Sequence, residues 1–357
     1  MLSEKTSRKI NILSFILFIG VMSIHTYNLD KYEINQNLNP VIAAVETFLN
    51  NFANRTCVYF FFMISGFLFF KKFDISLLGY KYKSRGISLV IPYLLWNIIY
   101  YLYYVITTRI PLIASLMSNN EKMKIGIASC IRYIWTGYYT LWFLRELIWL
   151  TICAPLWYVL LKRRKYYWSE WMLVFLILAG QGVANIPGIK LNIYYILGAY
   201  WGMNYKIIVS KWGGTRPLAL FRGWRYSAIA TMLFLPIYII LGGTYAGELW
   251  YNCILFLMIW IAMELFPYKN DILWWVKCTF FYYCSHDMIL EAVEKIILVL
   301  GGKSVMMAWI DYLLAPMITL LILIIAAWIL QKWFPLIWKL LSGGRGDSNS
   351  ALFVKEI

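Results

Sequence analysis

Long apolar runs, each broken by a short cluster of charge, recur from one end of the chain to the other. Runs long enough to cross about 30 Å of hydrocarbon lie at 10–27, 56–70, 87–106, 141–161, 167–186, 191–205, 226–243, 248–267, 272–290 and 310–331. They predict an all-α polytopic membrane protein, a bundle of about ten transmembrane helices. The second and sixth runs are short and call for local thinning of the bilayer or burial within the bundle. Three amphipathic stretches, 41–53, 123–138 and 293–300, read as interfacial or re-entrant pieces. The first run is too long for a signal-peptide core and ends in HTYNLD with no small-residue cleavage site, so it predicts a retained anchor. The expected organisation is a transmembrane domain over 1–341 and a flexible tail, 342–357, opening with SGGRGDSNS.

Composition excludes a soluble domain. Of the 357 residues 62% are hydrophobic and 14% charged, against about half and a quarter in soluble proteins. The net charge of +16 follows the topology: of the 33 Lys and Arg, 23 fall in the alternate segments that begin with the N-terminus and end with the residues from 332 on. By the positive-inside rule those segments, and with them both termini, are cytoplasmic. Contact with membrane lipid accounts for the charge, and no nucleic-acid partner is called for. The six cysteines show no paired spacing, which argues against a disulfide framework or a metal site.

Ionisable residues inside spans are costly and point to function or to a buried pair. At about 1.5 Å per residue, His25, Arg55, Arg145 and His286 each lie roughly 22–26 Å from the cytoplasmic boundary of their own span. His25 and His286 are the only histidines of the chain, and Glu146 and Asp287 stand beside two of the four. A shared depth predicts one polar site in the outer third of the membrane. Such a site serves an enzyme or a transporter equally.

Several local patterns, in order, separate those classes: His25 near the end of the first run; NRTCVYFFFMISGFLFFKK (54–72); KYKSRGISLVIPYLLW (81–96); TLWFLRELIWLTICAPL (140–156); YYILGAYWG (194–202); and FFYYCSHD (280–287). Together they resemble the membrane acyltransferase-3 family over about residues 8 to 340. The resemblance implies a multi-pass enzyme of the bacterial cytoplasmic (inner) membrane. Its donor would be cytoplasmic acyl-CoA, with acetyl-CoA expected, and its acceptor an envelope carbohydrate or glycolipid on the outer side. It also implies that His25 is the catalytic residue. Many members carry an Arg for donor binding eleven residues before that histidine, where this chain has Ser14; Arg8, Lys9 or Arg85 are the available substitutes.

The residue types suit this chemistry. An imidazole can take the proton of an attacking hydroxyl, which is the role expected of His25. The oxyanion of the tetrahedral intermediate needs fixed donors, for which Arg145, Trp142 and His286 are candidates, and Glu146 is a candidate to orient His25. Arg55, Trp142 and Asp287 are expected on the acceptor side. Lys81, Lys83 and Arg85 are expected at the CoA phosphates. Ser65 and Gly66 permit close approach either of the pantetheine arm or of a neighbouring helix. No metal is expected. The competing function is a transporter or flippase of a lipid-linked or polysaccharide intermediate. Common transporter designs show paired halves with matching broken helices, and the first and last five runs show no such repeat. A single shared site also requires His25 and His286 to lie within about 15 Å, a distance several times hydrogen-bond reach.

Overall fold

The computed structural model describes residues 4–110, 124–162, 168, 171–176, 189–213, 224–234, 237, 245–265 and 272–346. Most of the expected span 167–186, much of 226–243, most of the KRRK run at 162–165 and the tail beyond 346 lie outside the described residues. Every regular element among the described residues is helical: α1 Glu4–His25, α2 Pro40–Phe70, α3 Leu78–Arg85, α4 Ile91–Thr107, α5 Ile127–Thr136, α6 Trp142–Ile152, α7 Ala154–Leu161, α8 Ile189–Gly213, α9 Trp224–Phe234, α10 Tyr245–Leu265, α11 Thr279–Gly301, α12 Val305–Trp333 and α13 Pro335–Ser342. Among the described residues four stretches are long and apolar enough to cross a membrane: Thr6–His25, Pro40–Phe70, Ile75–Thr107 and Val305–Trp333. The pair Tyr139–Ile152 and Ala154–Leu161 makes a fifth, bent by 60°. Pro155, which has no N–H and clashes with the preceding turn, accounts for the bend.

Two boundaries differ from the hydropathy pattern. The stretches 41–53 and 56–70 are one helix of 31 residues, because Pro40 starts it and no proline or glycine follows before Gly66. The polar run from Asn50 to Arg55 lowers hydropathy without breaking the helix. Likewise 293–300 is the last two turns of α11 and not a separate piece.

The chain divides into two compact units, 1–17 with 52–82 and 150–272, and 18–51 with 83–149 and 273–357. The first unit is organised by small residues between α2 and α8. A Cβ placed on Gly66 would lie 2.2 Å from the Tyr195 carbonyl oxygen, and one on Gly198 would lie 2.0 Å from that of Met63. This is backbone-to-backbone helix packing, the mode small residues permit in membranes, and Gly66 takes part in it. Phe67, Trp201, Phe256 and Trp260 fill in around it.

In the second unit α11 is the buried axis. Phe281 through Asp287 are all buried in succession, which requires neighbours on every side of the helix. Those neighbours include α12, α13 and the aromatic face of α4. Trp338 of α13 is wholly buried against Phe281. The loop after α1 is closed by a core of Leu29, Tyr32, Ile42, Ala43 and Ala308.

Candidate active site

The site forms where the end of α1 meets the middle of α11, within the second unit. His25 is the last residue of α1, and His286 and Asp287 are consecutive on α11. The rings of His25 and His286 are 5.0 Å apart in an edge arrangement, well inside the separation a shared site requires. His25 Nδ1 lies 3.5 Å from Asp287 Oδ1, slightly beyond hydrogen-bond length, so the pair is an open dyad that a small rotation would close.

Asp287 is held by tyrosines. The Tyr139 hydroxyl donates to Asp287 Oδ1 at 2.6 Å, and the Tyr138 hydroxyl makes a short hydrogen bond to Oδ2. Both carboxylate oxygens thus accept from a phenol. Burial and the Asp287 charge in turn push the Tyr138 hydroxyl well above its usual range, so it remains a donor. The turn carrying both tyrosines is itself fixed. Gly137 ends α5 with φ +76°, a conformation that suits glycine. Arg145 Nη1 donates to the Thr136 carbonyl at 2.7 Å, Tyr138 N donates to Asn97 Oδ1 at 2.7 Å, and the Tyr283 hydroxyl makes a short bond to Thr140 O. The Tyr138 ring stacks on Tyr100 at 3.8 Å, and Tyr100 donates to Cys284 O at 3.1 Å.

His286 is fully buried. Its Nδ1 is 2.8 Å from Tyr283 O, and since a carbonyl only accepts, Nδ1 carries the hydrogen. Nε2 is then an acceptor, and it has no partner among the described residues. In that tautomer His286 Nε2 can accept a hydrogen bond but has no hydrogen to donate to an oxyanion. His25 is 19% exposed at the side chain. With Nδ1 turned to Asp287, its Nε2 lone pair is the basic position.

His25, His286 and Asp287 also offer ligand atoms within 4.8 Å of one another. Ligands on a tetrahedral zinc sit about 3.3 Å apart given bonds near 2.0 Å, and here both carboxylate oxygens are engaged by tyrosines. The arrangement fits a hydrogen-bonded dyad more closely than a metal centre.

The remaining sequence candidates make the following contacts. Arg145 and Glu146 pair with each other, at 3.8 Å, and Arg145 supports the Thr136 turn. The carboxylate shown beside His25 is Asp287. Trp142 opens α6, its ring 6.5 Å from that of Phe143. Arg55 belongs to the first unit, where its carbonyl accepts from Asn252 Nδ2 at 2.9 Å. In the same unit Lys81 Nζ donates to Phe69 O at 3.0 Å, and buried Lys9 lies 5.2 Å from the Trp260 ring. Lys83 is exposed and Arg85 half-buried, both in the last turn of α3.

Tyr138, Tyr139 and Asn97 are absent from the sequence reading, although the adjacent YY directly precedes the TLWFLR motif. A second buried group is also absent from it. Lys31 Nζ lies 2.5 Å from Glu294 and 3.9 Å from Asp311, Asn28 N donates to Glu46 at 3.0 Å, and Asn28 Nδ2 donates to Asp311 at 3.2 Å. Glu46 and Asp311, ionisable residues within apolar helices, were the available signal.

The sequence profile of the acyltransferase-3 family, described as an acyltransferase domain, matches residues 8–332. No curated protein and no solved structure matches the chain.

Proposed function

The chain belongs to the acyltransferase-3 family and is a membrane acyltransferase, and from that premise we propose that it moves an acyl group from cytoplasmic acyl-CoA to a hydroxyl of an envelope carbohydrate or glycolipid on the outer side. The observation that carries the reading is the His25–Asp287 pair, 3.5 Å apart and braced by two tyrosines. His25 Nε2 takes the proton of the acceptor hydroxyl as its oxygen attacks the thioester carbon. Asp287 orients the ring and stabilises the imidazolium that forms. The tetrahedral intermediate then collapses, the C–S bond breaks, and His25 returns the proton to the CoA sulfur. Atoms and charge balance with no further reactant. His286 Nε2, buried and without a partner among the described residues, supplies a second acceptor, for a neighbouring hydroxyl of the acceptor molecule.

In this reading the protein sits in the bacterial inner membrane with ten spans and both termini cytoplasmic, as the Lys and Arg distribution supports. Lys81, Lys83 and Arg85 lie on the donor side. The dyad favours an enzyme over a flippase, because a translocation path needs no carboxylate braced against a histidine. Incubating the purified protein with radiolabelled acetyl-CoA and an envelope-glycan extract tests the proposal. Label is expected in the glycan or glycolipid fraction, and its absence from every fraction, with free CoA unreleased, refutes the donor.

A further inference from the structure

The carboxyl of the dyad is one end of a hydrogen-bonded chain that follows α11 to the surface of the second unit. The Tyr138 hydroxyl, bonded to Asp287 Oδ2, stands 3.2 Å from the Tyr104 hydroxyl of α4. Tyr104 in turn donates to Glu291 Oε2 at 3.2 Å, and Glu291 Oε1 accepts from Lys295 Nζ at 2.5 Å. Asp287 and Glu291 are four residues apart on one face of α11, about 6 Å along its axis. The two phenols bridge that gap from neighbouring elements, their rings 6.0 Å apart. The ends differ in access: the Asp287 side chain is 7% exposed and that of Glu291 22%.

Donor counting shows what the chain can do. It has three links, Asp287 to Tyr138, Tyr138 to Tyr104 and Tyr104 to Glu291, and each link needs one hydrogen. With both carboxyls ionised two hydrogens are present, one on each phenol. Tyr139 gives its own to Asp287 Oδ1, and Lys295 donates to the other oxygen of Glu291. When Tyr138 donates to Asp287 and Tyr104 to Glu291, two lone pairs face each other across 3.2 Å. A third hydrogen completes every link, and it can stand on either carboxyl, with both phenols turned one way or the other. A row of neutral hydroxyls between two acids that share one proton is a path along which that proton can pass.

We infer that Asp287, Tyr138, Tyr104 and Glu291 form a proton relay that discharges His25 between turnovers, an inference that rests on the reading of His25 as the base. A His25 already protonated cannot accept the proton of a hydroxyl, and its Nδ1 faces Asp287. The imidazolium passes its proton to the Asp287 carboxyl, which after a half-turn donates to the Tyr138 oxygen. The Tyr138 hydrogen moves to the Tyr104 oxygen and the Tyr104 hydrogen to Glu291, which gives it to water. The imidazole and both phenols end neutral, and the single positive charge has moved from the dyad to the surface. The buried end of the relay faces His25, His286 and Tyr139, with Tyr100 stacked on Tyr138 and Tyr133 of α5 within reach of the Asp287 charge. The open end faces Lys295 and, one turn on, Glu294 with Lys31, while Tyr103 packs on Tyr104.

The test uses the full-length protein in detergent. In Glu291→Gln the amide donates to Tyr104 and supplies the third hydrogen permanently, so the chain keeps its bonds and carries no proton. Tyr104→Phe keeps the ring and cuts the chain in the middle. Both are expected to lose about tenfold in acyl-transfer turnover, less than removal of the base itself costs, with the donor KM unchanged. Both should regain it as imidazole buffer, a small proton carrier, is raised, whereas the wild type ignores the buffer. A loss in either variant that buffer does not restore, or wild-type turnover in either, overturns the relay, because a chain that only braces Asp287 has nothing for buffer to replace. Should Glu291→Gln not fold, Tyr104→Phe decides alone. Infrared difference spectra on acidification without substrate test the relay apart from acyl transfer. The amide of Asp287→Asn and that of Glu291→Gln each fill the chain from one end, so both variants should lose the same protonated-carboxyl band. Separate bands, each lost in one variant alone, or no band lost in either, overturn the shared proton. If the wild type transfers no label, the acyltransferase reading falls and the spectra still decide the relay.

Discussion

Asp287→Asn isolates the charge in the dyad, since it preserves shape and removes the anion facing His25. At 3.5 Å and an effective dielectric near 20, the attraction between an imidazolium and Asp287 is about 5 kcal/mol before desolvation is subtracted. That attraction exists only once His25 has taken the proton, so its loss falls on the barrier. A loss of about 3–5 kcal/mol corresponds to a rate on the order of 10² to 10⁴ lower. The KM for the donor should hold, because Asp287 touches neither phosphate nor arm in this account. Asn can still accept from one phenol, so the fold should lose no more than about 1–3 kcal/mol. Tyr138→Phe, which removes one donor to the carboxylate, should slow turnover by about tenfold. The assay is initial-rate acyl transfer at saturating donor, with melting temperature measured on the same preparations. A folded Asp287→Asn retaining more than a tenth of wild-type turnover would refute the assignment of Asp287 to His25.

Gly198→Ala sets a methyl 2.0 Å from the Met63 carbonyl oxygen, so α2 and α8 must part, at a cost of about 1–3 kcal/mol or more. A melting temperature several degrees lower is expected, whereas Gly79→Ala, with nothing within 4 Å, should leave it unchanged or slightly raised. Lys31→Met leaves Glu294 and Asp311 facing one another without their cation, a loss of about 3–5 kcal/mol for a largely buried pair. Adding Glu294→Gln should recover part of that stability. Equal melting temperatures for wild type and Lys31→Met would show the cluster to be uncharged without its lysine.

What the sequence revealed of the site follows from its chemistry. Histidine and arginine inside apolar runs stand out because they are expensive there, and depth alone brought His25 and His286 to one level. Depth is one coordinate of three. It could not say that Arg145 turns toward Thr136, that Arg55 belongs to the other unit, or that Asp287 faces the imidazole. Tyr138 and Tyr139 were hidden for a different reason: in a chain with 28 tyrosines, these two carry no signal until a carboxylate is found beneath them. Hydropathy likewise divided α2, because a lapse in apolarity at Asn50 to Arg55 resembles a loop when nothing reports that the backbone stays helical. The glycines of the C-terminal turn read as flexibility, yet glycine also allows positive φ and close approach, and that is how Gly343 and Gly346 are used.

The central claim is that His25 is the base of an acyl transfer, and the most direct measurement compares wild type with His25→Gln in the labelled acetyl-CoA assay, each preparation checked by thermal melting. Gln preserves much of the size and hydrogen-bonding capacity of the ring and cannot take a proton. The account predicts a variant that melts within a few degrees of wild type, binds CoA with the same affinity, and transfers label at least a hundredfold more slowly, the lower range for removal of a positioned general base. A well-folded His25→Gln that labels the glycan fraction at near wild-type rate would contradict it.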